Sequence, residues 1–335
     1  MKTIIITIFF FFVSMSMPLI AKAETSNGSN VFTFSLENDA FGISDKYYTS
    51  GIELTWLSSI QEEHEKETDT FMQGISLLKG LPFFNKPESI NLLSISLGQK
   101  IFTPDHTEGS ELIKNDRPYA GIAYLSIGFC NKNKLRMDSF KTDVGIVGPH
   151  SYAEQSQNIV HKWFDFNMPE GWKNQIKNEP VLNLVYDRRD IKSRGKNKDH
   201  FGYDLISRTG FGLGNAYTYF DAGAKFRFGW HLKGDFGMPF VYPHHKHGSS
   251  INSFGVNFFI ALDGRFVLRD IFLDGNTFRH SHSVNKNPFV ADFTAGMALT
   301  GQNFKVGYTH SYRTKGFERQ KSGHDFGMIY LSLYY

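Results

Sequence analysis

A closed, antiparallel β-barrel spanning a lipid bilayer is the fold class that this sequence predicts. Three features point to it: an export leader with no helical span behind it, strands of period two whose polar face is small rather than charged, and a last strand with a terminal aromatic. Met1-Lys2 gives a positive start, Ile4 to Val13 is an unbroken apolar run, Pro18 ends it, and Ala21-Lys22-Ala23 puts small residues at the −3 and −1 positions. That is the pattern of a signal peptide over residues 1–23, followed by one mature domain over 24–335. Beyond the leader, Gly, Asn, Asp or Lys interrupts every apolar stretch before the roughly 18 to 20 residues that a membrane helix needs. An exported chain of this kind is secreted, periplasmic or an outer-membrane barrel.

Periodicity decides among these. Phe32, Phe34 and Leu36 alternate with Thr33, Ser35 and Glu37, and Ile52, Leu54 and Trp56 with Gly51, Glu53 and Thr55. The pattern recurs at Leu93, Ile95, Leu97, at Ala123, Leu125, Ile127, Phe129, and at Phe254, Val256, Phe258, Ile260. The opposite face is mostly Gly, Ser, Thr and Tyr, whereas the polar face of a soluble sandwich meets water and tends to be charged. An apolar exterior around a polar interior suits a barrel in lipid, where every backbone group must pair and no edge may face hydrocarbon. The last residues, Phe326-Gly327-Met328-Ile329-Tyr330-Leu331-Ser332-Leu333-Tyr334-Tyr335, alternate to a terminal aromatic. They resemble the signal by which the barrel assembly machinery recognises its clients.

In order, the expected strands are 31–38, 48–58, 91–102, 119–130, 135–147, 181–190, 201–212, 217–231, 252–269, 288–300, 302–313 and 325–335. Twelve is even, as bacterial barrels require. With both termini in the periplasm, the segments 39–47, 103–118, 148–180, 213–216, 270–287 and 314–324 face outward. Two inner connections, 59–90 and 232–251, are long for periplasmic turns, and Gln73 to Leu81 reads as a short interfacial helix.

Composition excludes other classes. With 36 basic and 33 acidic side chains, and a formal charge that falls from +3 to +1 once Lys2 and Lys22 leave with the leader, no basic excess supports nucleic-acid binding. The single Cys130 cannot form an intramolecular disulfide, so no disulfide scaffold exists, and the residue reads as a small strand side chain.

Chemistry concentrates at the outward ends. Asn38 and Asp39 close the first strand and Thr49 opens the second, gathering an amide, a carboxylate and a hydroxyl. Hard oxygen donors suit Ca²⁺; ordinary turn chemistry accounts for Asn and Asp in a hairpin equally well. Strand parity sets Asp39 and Thr49 on the polar side and Asn38 on the apolar side, so their convergence requires a bulge or twist. In the long outward segment, Ser151-Tyr152-Ala153-Glu154 reads as a capping box opening a helix, on which Gln157 and His161 share a face. Histidine suits general-base work near neutral pH, and an amide can orient water or a carbonyl; a solvated rim histidine is the alternative. His244-His245-Lys246-His247 and His280-Ser281-His282-Ser283 read as polar turns, and Asp116-Arg117 as a structural pair.

These residues resemble the outer-membrane lipid A 3′-O-deacylase family. The resemblance lies in Leu36-Glu37-Asn38-Asp39, Tyr48-Thr49-Ser50-Gly51, Asn115-Asp116-Arg117-Pro118-Tyr119-Ala120-Gly121, Val144-Gly145-Ile146-Val147-Gly148-Pro149 and Gln157-Asn158-x-x-His161. Trp172-x-x-Gln175-Ile176 and Phe272-Leu273-Asp274-Gly275-Asn276-Thr277 follow in the same order. It implies a Ca²⁺-dependent esterase of the outer leaflet that removes the 3′ acyloxyacyl group of lipid A, part of lipopolysaccharide. His161 corresponds to its catalytic base, Asn38, Asp39, Thr49 and Gln157 to its other site residues, with Asn38, Asp39 and Thr49 toward the ion. The acid that some members carry six residues after the histidine is Asn167 here, so Asp165, one turn beyond His161 if the helix continues, is expected to orient the imidazole, with Glu170 as the other nearby acid. A monomer is expected. The rival readings are a Ser-dependent outer-membrane phospholipase and a non-enzymatic porin or adhesion barrel whose mouth the loop helix plugs.

Overall fold

The computed structural model describes residues 30–42, 47–59, 89–239 and 254–335. The expected signal peptide, the helix at Gln73 to Leu81 and the His244 to His247 tract lie outside these. Twelve strands form one closed antiparallel barrel: β1 (Asn30–Asn38), β2 (Tyr47–Ser59), β3 (Ile90–Thr103), β4 (Ala120–Lys132), β5 (Arg136–Val147), β6 (Glu179–Lys196), β7 (Phe201–Gly214), β8 (Tyr217–Trp230), β9 (Gly255–Asp270), β10 (Phe289–Thr300), β11 (Phe304–Arg313) and β12 (His324–Tyr334). Each pairs with its sequence neighbours, and β12 closes on β1 with Phe34 opposite Leu331 and Asn38 opposite Gly327. Two helices interrupt the pattern, α1 (Ala153–Phe164) between β5 and β6, and α2 (Ile271–Asp274) after β9. No helix among the described residues is long and apolar enough to cross a membrane.

Expected and observed strand limits agree within three residues except in β6, which runs on to Lys196 rather than stopping at 190. Its charged run, Arg188-Arg189-Asp190 then Lys192 and Arg194, looks like a turn in isolation. In the barrel those charges pair: Arg136 Nε donates to Asp190 at 2.8 Å, and Arg194 reaches Asp204 of β7 at 3.3 Å. A bulge between Ile191 and Ser193 absorbs the change of register.

The apolar face points outward, where Leu97 and Ile260 are each 60% exposed. The lumen is more strongly charged than the Gly, Ser, Thr and Tyr pattern suggested, because partners far apart in sequence meet there. Arg208 contacts Asp187, Asp221 and Asp263, and Arg313 clamps Asp292 through two 2.7 Å bonds. Fork-to-carboxylate pairing of this kind keeps buried charge compensated.

Among the described residues, buried side chains pack across the lumen near both ends. At one end, Asp270 caps α2 by accepting from the Phe272 N–H, and Phe272 is buried against Phe102 and Tyr217, with ring centroids 4.2 and 5.3 Å away. Tyr48 and Phe326 extend this aromatic layer. At the other end, the start of the connection after β8 folds into the barrel. Phe236 is buried with Leu57, Leu92, Met137 and Ile206, and Asp235 binds both Arg227 and Lys305. Lys305 also donates to the Met238 carbonyl, Arg189 to that of Phe236 and Lys225 to that of Gly237. Between them lies a cavity of about 340 Å³ whose walls include Gly237, Lys225, Asp292 and Phe326.

Candidate active site

The site lies on the outside of the wall, at the end of the barrel carrying α1. In β3, Ile95, Leu97, Gln99, Ile101 and Thr103 share the outward parity, and in β4 so do Gly121, Ala123 and Leu125, with Tyr119 just before them. α1 is laid over the ends of these two strands. Ala153, Ile101, Tyr119 and Trp172 form one buried cluster, and Gln99 Nε2 donates to the Ser151 carbonyl at 2.6 Å. Gly121 makes the approach possible: a Cβ there would stand 2.1 Å from that of Ala153. The rival reading in which a loop helix plugs the mouth does not fit, since α1 packs on the lipid-facing side.

The capping box does not form. Tyr152 precedes the helix in the left-handed region (φ 56°) without a side-chain cap, while Ser151 Oγ turns back to donate to the Gly148 carbonyl at 2.6 Å. The close seat of Ala153 on Gly121 fixes this entry. Downstream, Ala153, Gln157 and His161 are spaced by four and form the buried stripe of α1. Ile159, Val160 and Trp163 are exposed on the remainder, Trp163 at 77%.

His161 is held by a backbone carbonyl. Its Nδ1 lies 2.6 Å from the Asn167 oxygen; a carbonyl only accepts, so Nδ1 carries the proton and the neutral ring keeps its lone pair on Nε2. The imidazole edge also packs against Phe166, ring centroids 5.7 Å apart. This corrects the expectation for Asp165. The helix ends at Phe164, Asp165 adopts a left-handed conformation (φ 55°) as its C-cap, and the side chain is exposed, as is that of Glu170. The chain can then reverse so that Asn167 faces His161. Asn167 Nδ2 donates to Glu108 at 2.7 Å, and the Glu170 N–H to the Thr107 carbonyl at 2.9 Å, tying the reversal to the β3–β4 connection. Asp165→Asn and Glu170→Gln are accordingly expected to leave any turnover that depends on His161 at its wild-type rate; loss of activity in Asp165→Asn would restore the acid as its orienting group.

Gln157 Oε1 accepts from the Trp172 indole N–H at 2.9 Å, deep in the same interface. The motif around Asp116 supports it. Asp116 accepts from the Asp105 and Arg117 N–H groups, the Arg117 guanidinium lies 4.6 Å from the centre of the Phe102 ring, and Tyr119 packs on Trp172.

A bulge in β2 turns Thr49 to the side opposite the one expected for it. Register slips between Tyr48 and Ser50. Tyr48 turns into the lumen, bonded to Glu37, and Thr49 turns outward, 2.7 Å from the Thr103 hydroxyl. Asn38 has the same outward parity and pairs with Ser50, and Asp39 follows it into a 3-10 turn, Asp39–Gly42. Asn38 Oδ1 accepts from the Ala40 N–H at 2.7 Å, leaving the amide oxygen a second lone pair. Asp39, Thr49 and Thr103 are all buried. No group of three or more His, Cys, Asp or Glu side chains suited to a metal occurs among the described residues. A cation here would rest on one carboxylate with amide, hydroxyl and carbonyl oxygens, a hard set that fits Ca²⁺ and not a thiolate- or imidazole-seeking metal.

Of the His280 to Ser283 segment, Ser281 and His282 fasten the loop. Ser281 Oγ accepts from the Asn276 N–H at 2.9 Å, and His282 Nε2 binds the Asp116 carbonyl at 2.8 Å.

Residues 6–335 match the family model described as "Outer membrane protein LpxR". The chain belongs to the LpxR family. Among solved structures, LpxR from Salmonella typhimurium is similar over 91% of this chain and 100% of its own, with TM-score 0.72 and 15% identity. The β domain of the Bordetella autotransporter BrkA matches 91% of this chain and 97% of its own at TM-score 0.45 and 7% identity. No curated protein sequence matches. Membership places the chain in the outer membrane among the lipid A deacylases. Gln99 and Thr103 escaped the sequence reading, although polar side chains on a strand's lipid-facing parity are a legible signal that something covers them.

Proposed function

We propose that this LpxR-family chain hydrolyses the ester carrying the 3′-O-linked acyloxyacyl group of lipid A, with His161 as general base and Ca²⁺ as cofactor. The observation that supports it most is the orientation of His161, buried between helix and wall with Nδ1 committed to a carbonyl and Nε2 left as the base. Nε2 takes a proton from water as its oxygen attacks the ester carbonyl, and returns it to the departing sugar oxygen when the C–O bond breaks. No acyl-enzyme forms. Asp39, with Thr49 and Asn38, would hold the cation, whose chemistry when bound is to stabilise negative charge on the carbonyl oxygen. α1 and the wall exclude bulk water from the base.

A site on the outward face suits a substrate whose acyl chains stay in the leaflet while its sugars face water. This reading sets the α1 end toward the cell exterior, with the alternating last strand supporting insertion by the barrel assembly machinery and the protein acting as a monomer. Mass spectrometry of lipid A from cells with and without the chain tests it: loss of one acyloxyacyl group is expected, and unchanged lipid A overturns it. Asp39→Asn should lower activity with partial recovery at high Ca²⁺, and chelation should silence the wild type. Indifference to chelator together with inactivation by a serine-directed reagent would support the phospholipase rival instead. Because buried side chains pack across the lumen near both ends, no steady conductance is expected in planar bilayers, where a porin would conduct.

A further inference from the structure

The outer face of the wall carries an ionisable pair away from α1. On β11 Ser311 and Arg313 line the lumenal cavity, and on β12 Phe326 and Met328 do, so Tyr308, His310 and Tyr312 of the first strand and Asp325 of the second face outward. His310 Nε2 lies 3.1 Å from Asp325 Oδ1, the two side chains 43% and 37% exposed. Tyr312, 42% exposed, stands opposite Asp325 in register. A carboxylate only accepts, so Nε2 carries the proton, and Nδ1 makes no hydrogen bond among the described residues. Ionisable groups on the lipid-facing side of a barrel are costly in hydrocarbon and cost least at the interface, where polar partners can meet them.

The pair lies beside the residues proposed to hold the cation. His310 is opposite Gly327 of β12, and Gly327 is opposite Asn38 of β1, so His310 stands on the row of Asn38 two strands away, roughly 10 Å at the usual strand spacing. Gly327 leaves that row open for the turn after β1. A Cβ there would stand 2.6 Å from that of Phe41, and the Phe41 ring meets Tyr308 edge-on, centroids 6.3 Å apart. The turn that carries Asp39 thus rests on the strands that carry the pair. On the other side of Asn38, α1 covers the outer ends of β3 and β4. A head group whose ester reaches His161 therefore has its free run, among the described residues, along β1, β12 and β11.

From this juxtaposition, and resting on the function proposed above, we infer that His310, Asp325 and Tyr312 form a subsite for the second sugar of the lipid A disaccharide while the first presents its ester to His161. His310 Nδ1 accepts from one sugar hydroxyl, the free lone pairs of the Asp325 carboxylate accept from another, and the Tyr312 ring offers an apolar face to the C–H groups of the sugar. These side chains touch the head group and not the reacting ester. They set affinity and the choice of a disaccharide, and leave the rate of ester cleavage to the base.

The test uses purified full-length protein in detergent with two substrates, lipid A and a glucosamine monosaccharide bearing the same acyloxyacyl ester, with kcat and KM read separately. In His310→Ala and Tyr312→Ala, KM for lipid A should rise by roughly three- to tenfold, the worth of one hydrogen bond or a comparable contact, with kcat within about twofold. Both variants should match wild type on the monosaccharide. Unchanged KM for lipid A in both overturns the inference, and so does an equal rise for the two substrates, which would mark a structural or interfacial role. Should one variant lose heat-modifiable migration, the other decides by the same criteria. His161→Gln separates the two levels of the argument. If it is inactive while His310→Ala and Tyr312→Ala keep wild-type KM, the inference alone fails; if it is fully active, the proposed function fails and the inference with it.

Discussion

His161→Gln and His161→Ala are expected to lower deacylation by about 10²- to 10⁴-fold, the usual contribution of a positioned general base, while the protein still migrates as a folded, heat-modifiable barrel. The separation follows from where α1 sits. The strand ladder closes from β12 to β1 without passing through the helix, and α1 rests on the outside of β3 and β4. Losing the imidazole removes one bond to the Asn167 carbonyl and one edge contact with Phe166, a local cost. Gln keeps a donor for the carbonyl and has no basic nitrogen, so it isolates proton transfer from packing. Near-normal activity in either variant overturns the base assignment. Asn167→Ala should be far milder than either, since it removes the side-chain bond to Glu108 and leaves the carbonyl in place.

That contrast also shows where the sequence was legible. His161 and Gln157 could be paired because helical spacing of four is a periodic signal, and the strands because lipid outside and polar groups inside impose a period of two. The group that orients His161 left no trace, for any residue type supplies a carbonyl. Extending the helix to Asp165 failed because that residue adopts the left-handed conformation that ends it. The capping box failed for a related reason: local hydrogen bonding by Ser151 lost to a tertiary contact, Ala153 on Gly121, which only the barrel brings together. Thr49 was assigned to the wrong face by a bulge of one residue, which inverts parity from that point. The connection at 232–251 was read only as a long inner one with a polar His tract, and the packing of its start into the lumen had no sequence signal. That packing rests on Asp235 meeting Lys305, 70 residues away, across a lumen whose existence depends on the whole ring.

Asp235→Ala is expected to cost the barrel about 3–5 kcal/mol, the penalty for removing one partner of a buried ion pair, although the residue belongs to no strand. Its carboxylate is shared by Lys305 at 2.6 Å and by Arg227, and it also accepts from the Gly237 N–H at 3.0 Å. Arg227 keeps Asp204, which it clamps at 2.8 and 2.6 Å, so the charge left exposed to the loss is chiefly that of Lys305. The temperature at which the folded band converts to the unfolded one on gel electrophoresis should therefore fall, and Lys305→Met in the Asp235→Ala background should restore part of it by removing the orphaned charge. Asp235 also predicts an acid limb. Burial works against its ionisation, but Lys305 and Arg227 together hold the carboxyl well below the usual carboxylate range. A group whose native value is depressed stabilises fully above its unfolded value, about 3.9, and loses that contribution as pH falls below it. Wild type and Asp235→Ala should thus differ most near neutral pH and converge in strong acid. A wild-type melting temperature for Asp235→Ala at pH 7 would show that this end is held by Phe236 and its apolar neighbours alone.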